Sequence, residues 1–161
     1  MSSLDVELQK GKLNLIFPNP DSSWIYYEKC SVMGLGGEEW PMEFKGDLQR
    51  IVEQSDGNVV WEHPEALLHP VYELELADWL IKLFLDNRKT RSVWGVQTHS
   101  EAIMLRVRKR VREGALKASD LNIISVASEF TKTIKLDDDG EFLNAWPEPY
   151  GFHRWRLNEY I

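Results

Sequence analysis

The chain has 161 residues, 43% of them hydrophobic, and a formal net charge of −7. This length suits a single domain spanning residues 1–161 with one packed core, and the negative charge argues against a general surface attraction to nucleic acid or anionic lipid. Its single cysteine, Cys30, cannot form an intramolecular disulfide, and the N-terminus lacks the pattern of a signal peptide, so we expect a cytoplasmic protein without a membrane span.

The N-terminal third predicts strands, a loop and a helix. Residues 13–17 and 24–27 are short aromatic and β-branched runs on either side of a Pro- and Asn-containing turn, which indicates two strands. Residues 34–37 form a glycine-rich loop. A helix is expected from about residue 38 to residue 54, since Pro41 falls in its first turn, where proline is tolerated.

The middle of the chain alternates strands with amphipathic helices. Residues 58–61 are a brief apolar run that delivers polar residues at its end, typical of a buried strand. Apolar residues recur at helical spacing over residues 70–85, and residues 92–97 predict another buried strand. The next helix ends at Gly114, and Thr98 and Glu101 have the spacing of a capping box at its start.

The C-terminal part predicts strands over residues 122–126, 131–136 and 142–143, with a turn at residues 137–140 before the last. Strand, helix, strand, helix, strand is the pattern of a parallel sheet with crossover helices. The fold class is therefore α/β: a mostly parallel central sheet with flanking helices and a β-rich C-terminal end.

Three motifs occur in a fixed order in the middle of the chain. They are Gly-Leu-Gly-Gly at 34–37, Trp-Glu-His-Pro-Glu-Ala-Leu-Leu-His-Pro at 61–70, and Thr-His-Ser-Glu at 98–101. In this order they resemble the signature loop, the Walker B strand with its Leu-His-Pro, and the switch of predicted ABC-like, AAA-type ATPases related to the OLD-family nucleases. The resemblance covers about residues 12–155 and implies the C-terminal lobe of a P-loop NTPase fold.

The resemblance assigns roles to individual residues. Glu62 matches the acidic residue that holds Mg²⁺, for which carboxylate oxygen is a suitable ligand. His63 occupies the next position, where related ATPases carry a carboxylate or Gln that polarises the attacking water. His99 matches the switch histidine that contacts the γ-phosphate. The small residues Gly34, Gly36 and Gly37 match the loop that approaches a phosphate, although Gly37 or Glu38 stands where the family has Ser.

The phosphate cradle of this class, Gly-x-x-x-x-Gly-Lys-Ser/Thr, does not occur in the sequence. Because phosphoryl transfer depends mainly on electrostatic positioning by that cradle, we expect no ATP hydrolysis by this chain alone. The resemblance implies that the cradle and the glutamine loop belong to an N-terminal lobe that is not in this sequence.

Simpler structural roles compete with several of these assignments. Thr98 and Glu101 are explained as a helix cap, and a histidine such as His99 at a strand-to-helix junction is often only a hydrogen-bonded surface residue. A zinc site of His63, Glu65 and His69 is rejected because nothing fixes their geometry. The Asp-Asp-Asp-Gly run at 137–140 is read as a β-turn rather than a calcium loop. A solvated face is preferred to a nucleic-acid patch for the basic helix carrying Arg106, Arg108, Lys109, Arg110 and Arg112.

Three hypotheses for function remain open. The first is a degenerate ATPase-like domain that acts through protein contact with a full-length ATPase, an N-terminal lobe or itself, with no cofactor of its own. The second is one half of a split ATPase, in which Glu62, His63 and His99 join a composite site with ATP and Mg²⁺; the resemblance implies a role in DNA processing or defence. The third is a remnant without a selected activity. Direct contact with nucleic acid or membrane is not expected.

Overall fold

A six-stranded sheet forms the centre of the molecule in the computed structural model, which describes residues 4–18, 25–27, 30–34, 58–66, 68–89, 93–127 and 130–144. Five neighbouring strands run parallel, and the last strand pairs antiparallel at one edge. The strand order is β4-β5-β6-β2-β7-β8, with β2 Leu13–Pro18, β4 Cys30–Gly34, β5 Asn58–Glu62, β6 Trp94–Gln97, β7 Leu121–Val126 and β8 Thr131–Ile134.

Strand β2 lies at the centre of this sheet. It pairs parallel with β6 on one side and with β7 on the other, and all six of its residues are buried. A strand covered on both faces is expected to be almost continuously apolar, and Leu-Asn-Leu-Ile-Phe-Pro has a single polar residue. The predicted strand at residues 24–27 is present as β3, Ile25–Tyr26, but it does not pair with β2. It pairs with the short β1, Leu4–Asp5, in a separate two-stranded parallel sheet.

Two described helices pack on the same face of the large sheet. They are α1, Pro70–Asn87, which follows β5, and α2, Glu101–Arg112, which follows β6. Their apolar stripes meet the side chains of alternate strand residues in one core. The largest side chains of this core that are almost fully buried are Trp61, Trp94 and Phe84.

The opposite face of the sheet is covered by residues of the N-terminal segment. Val6 and Tyr27 pack on Ile16, Val60 and Ile124 in a second, smaller core. At the amino ends of the strands, a fully buried asparagine, Asn14, stabilises this arrangement. Its side chain donates to the carbonyl of Trp94 (2.7 Å) and accepts from the backbone N–H of Gln9 and the amide of Asn122 (both 2.8 Å). The one polar residue of β2 is therefore satisfied by hydrogen bonds, as a buried amide must be.

The start of α2 differs from the prediction. The helix begins at Glu101, and its N-cap is Ser100, whose hydroxyl accepts from the backbone N–H of Ile103 (3.2 Å). The capping box of Thr98 and Glu101 is therefore wrong. Thr98 lies two residues before this N-cap, where its N–H donates to the carbonyl of Ile16 (2.9 Å) and extends the pairing of β6 with β2. The predicted end of α2 is confirmed, since Gly114 has φ of 74° just beyond the last turn.

The basic side of α2 is committed to ion pairs within the fold. Arg108 and Arg112 each contact a different oxygen of Glu141 (both 2.6 Å), and Arg108 also donates to the carbonyl of Gly140 (2.7 Å). Arg110 forms a bidentate salt bridge with Asp78 of α1. The predicted turn at residues 137–140 is confirmed and is fastened to α2 by these contacts.

The α/β class with a mostly parallel sheet and flanking helices is confirmed. The helix predicted at 38–54 and the loop residues Gly36 and Gly37 lie outside the described residues. The strand predicted at 142–143 is reduced to one bridge between Leu136 and Phe142. Within the described part of the chain, no helix is both long and apolar enough to cross a bilayer.

Candidate functional site

The polar residues that the sequence singled out meet at one edge of the sheet. Strands β4, β5 and β6 run parallel, so their carboxyl ends lie side by side. In this register Glu62 is paired with Gln97 on one side and with Gly34 on the other. In open α/β sheets, ligands bind outside the carboxyl ends of the strands. The candidate site is therefore at this edge, which we call the carboxyl edge.

His63 makes a sharp turn directly after β5. Its φ of 48° lies in the left-handed region, and it is the only non-glycine residue with positive φ in the described ranges. The turn is held by two backbone hydrogen bonds, one from His63 N–H to the carbonyl of Gln97 (2.6 Å) and one from Ala66 N–H to the carbonyl of His63 (2.9 Å). Non-glycine residues in this conformation are uncommon and are concentrated at functional sites.

The two candidate histidines are in contact. The rings of His63 and His99 stack with their centroids 4.6 Å apart and their planes at 14°. Glu65 joins them, since its Oε1 accepts from the backbone N–H of His99 (2.9 Å) and lies 3.7 Å from Nδ1 of His63. The turn after β5 and the segment after β6 are thus held together by one carboxylate.

Gln97 sets the orientation of the His63 ring. The Tyr27 hydroxyl donates to Oε1 of Gln97 (2.5 Å), so the Gln97 amide nitrogen faces Nε2 of His63 (3.2 Å). An amide nitrogen can only donate, and Nε2 of His63 therefore accepts. The neutral ring then carries its proton on Nδ1, the nitrogen that faces Glu65.

The surroundings of His99 favour its neutral form. Partial burial lowers the pKa of His99 from its ordinary value of 6.5, and the neighbouring His63 lowers it further. Glu65 and a hydrogen bond to the backbone carbonyl of Pro18 raise it, but by less. His99 is therefore neutral at neutral pH, and its ring forms a flat surface together with the stacked ring of His63.

Two carboxylates give this edge its charge. Glu65 is 9% exposed, and its Oε2 is buried without a hydrogen-bond partner in the described part of the chain. Glu62 is half-buried at the end of β5, and no hydrogen bond or ion pair joins its side chain to another described residue. A buried carboxylate oxygen without a donor is unfavourable, so Glu65 is better stabilised by a positive group than by a phosphate.

A metal site is not formed by these residues. No group of three or more His, Cys, Asp or Glu side chains in the described ranges could hold a metal ion. Stacked rings point their nitrogen lone pairs along nearly parallel planes, so His63 and His99 cannot converge on one ion. His69 has a structural role as the N-cap of α1, where its Nδ1 accepts a hydrogen bond from Val71 N–H.

Tyr27 and Gln97 were not among the site residues that the sequence indicated. Gln97 directly precedes the Thr-His-Ser-Glu motif, and its position at a predicted strand end was a usable signal. Tyr27 had none, because it reaches the site across 70 residues of chain. Of the predicted site residues, the structure brings Gly34, Glu62, His63 and His99 together. Gly36 and Gly37 are outside the described residues.

In comparisons with known proteins, no family model, no curated protein and no solved structure matches this chain.

Proposed function

We propose that this chain is an ATPase-like domain that acts through contact with another protein and does not hydrolyse ATP by itself. The carboxyl edge carries the proposal. Glu62, His63 and His99 lie together there, which supports the roles that the resemblance to a Walker B strand and a switch implies. The described carboxylates beside them, however, are unfavourable for a phosphate. The single cysteine fits a reducing, cytoplasmic setting.

The electrostatics of the edge explain why ATP is a poor ligand. An ATP site needs backbone amides and a lysine around the β- and γ-phosphates, and no Gly-x-x-x-x-Gly-Lys-Ser/Thr occurs in the sequence. The central strand β2 is followed by Asn-Pro-Asp-Ser-Ser, which contains neither glycine nor lysine. The backbone N–H of His99 already donates to Glu65 (2.9 Å), so that donor is not available to a phosphate.

Three measurements on the purified chain test this function. Phosphate release from ATP and Mg²⁺ should remain at the level of a Glu62→Gln variant. Affinity capture from the host should recover an ATPase that has an intact phosphate cradle, and sedimentation should reveal any self-association. A turnover by the chain alone that Glu62→Gln abolishes would contradict the proposal.

A split ATPase is the second candidate, and one observation favours it. Gly34 of the proposed signature loop is paired with Glu62, the proposed magnesium ligand, so both lie at one edge. In this reading, a second polypeptide supplies the cradle and the chain supplies Glu62, His63 and His99. Mixing the chain with a polypeptide that carries the cradle should produce hydrolysis that Glu62→Gln removes. A mixture that stays inactive would eliminate this candidate.

A further inference from the structure

The charged residues that follow strands β5 and β6 in the described part of the chain are acidic. The segment from Asn58 to Ile81 follows the chain through the site and along most of α1. It contains five acidic residues and no lysine or arginine, and one of the five, Asp78, is compensated by Arg106 and Arg110 of α2. The segment from Val93 to Ile103 adds Glu101 and no lysine or arginine. The basic residues of α2 begin beyond its first turn. The described part of the carboxyl edge is therefore negative.

A second observation indicates that this surface is incomplete by itself. Glu65 is nine-tenths buried, and one of its oxygens has no hydrogen-bond partner in the described part of the chain. Its nearest titratable neighbours are two imidazoles, and His99 has a lowered pKa that keeps it neutral at neutral pH. A positive group placed beside the stack would stabilise this carboxylate, because the neutral ring of His99 does not compensate its charge.

We infer that the carboxyl edge is the docking surface for a basic segment of the partner protein, with an arginine side chain beside Glu62 and Glu65. This inference rests on the proposed protein contact and names the chemistry of the partner. A guanidinium is planar, so it can stack on the flat His63–His99 pair while its N–H groups face the carboxylates.

A second copy of the chain is a poor source of this basic segment. Its most basic described element is α2, and the arginines there already contact Asp78, Glu113 and Glu141. Releasing them would break the contacts that fasten the turn at residues 137–140 to the helix. The charge complement is therefore expected on a different protein.

A titration of the ¹⁵N-labelled full chain, followed by NMR, tests this inference with a short blocked arginine peptide as the probe. The arginine peptide should shift the amide signals of His63, Glu65 and His99, whereas a glutamate peptide of the same length should not. Glu62→Gln or Glu65→Gln should weaken binding about fivefold to tenfold, because each removes one charge from the contact. Asp86→Asn is the matched control, since it removes a charge from the far end of α1 and should change the affinity less than about twofold.

Each other outcome overturns a defined part of the reasoning. Equal effects of Asp86→Asn and Glu62→Gln would mean general charge attraction and no docking surface. Because Glu62 is only half-buried at the strand end, this comparison stands even where Glu65→Gln destabilises the fold. Failure of the arginine peptide to bind would overturn the basic partner and leave contact with a partner of other chemistry. Binding of ATP and Mg²⁺ at the same signals would overturn both proposals.

Discussion

Gly140 provides a sharp test of how the C-terminal turn is fastened to α2. Its φ is 74°, and a Cβ added there would lie 2.4 Å from the carbonyl oxygen of Arg108. Gly140→Ala therefore pays for the left-handed conformation, about 1–2 kcal/mol. It must also displace the turn from the helix, which weakens a charged hydrogen bond worth about 1.5–3 kcal/mol. We expect Gly140→Ala to lower the free energy of unfolding by about 3–4 kcal/mol.

Gly114 is the matched control for this substitution. It has the same φ of 74°, but no atom lies within 4 Å of an added Cβ. Gly114→Ala should therefore cost only the conformational part, about 1–2 kcal/mol. In urea denaturation the two variants should differ by about 2 kcal/mol, which is roughly 1 M in the midpoint for a protein of this size. Equal midpoints would refute the contact between the turn and α2.

Three further predictions follow from single side chains, each measured by denaturation or titration. Asn14→Leu should lower the free energy of unfolding by about 3 kcal/mol or more, because it leaves buried backbone groups and Asn122 without their hydrogen-bond partners. A decrease below about 1 kcal/mol would contradict the buried hydrogen-bond network. The pKa of His99 is lowered in the folded state, so below pH 6.5 the unfolded state binds more protons than the folded state. The free energy of unfolding should therefore fall with decreasing pH in this range, and His99→Gln should make this pH dependence less steep. Arg110→Met should lower the free energy of unfolding by about 1 kcal/mol, because it removes the bidentate salt bridge with Asp78. It should not change nucleic-acid binding, and reduced binding would indicate a nucleic-acid role for α2.

Local pattern was sufficient to predict most of the parallel core. The helix expected at residues 70–85 is α1, because its apolar residues recur at the helical period and Pro70 occupies its first turn. Strands β5 and β6 were predicted within two residues, since short apolar runs that end in polar residues are typical of buried parallel strands. These features depend on neighbouring residues alone.

Strand pairing and helix N-caps were harder to predict, because they depend on residues that are distant in the sequence. The strands at residues 13–17 and 24–27 both exist, but β2 pairs with β6 and β7, which begin about eighty and a hundred residues further along the chain. Thr98 and Ser100 are both good N-cap residues, and local spacing favoured Thr98. The hydrogen bond from Thr98 N–H to the carbonyl of Ile16 extends the pairing of β6 with β2, so Ser100 is the N-cap of α2.

Most of the residues at the candidate site could be predicted from the sequence, but their geometry could not. The motif residues Glu62, His63 and His99 do lie together, because they follow neighbouring parallel strands. The left-handed turn at His63 and the contact of Tyr27 with Gln97 have no local sequence pattern, since tertiary hydrogen bonds impose them. Whether these residues take part in phosphate chemistry is a separate question from their position.

The most direct measurement is a calorimetric titration of the purified chain with ATP and Mg²⁺, with His99→Ala as the comparison. The account predicts no heat of binding for either protein, because the carboxyl edge is negative and has no phosphate cradle. Binding by the unmodified chain that disappears in His99→Ala would contradict it, and would make the split ATPase the better description of this protein.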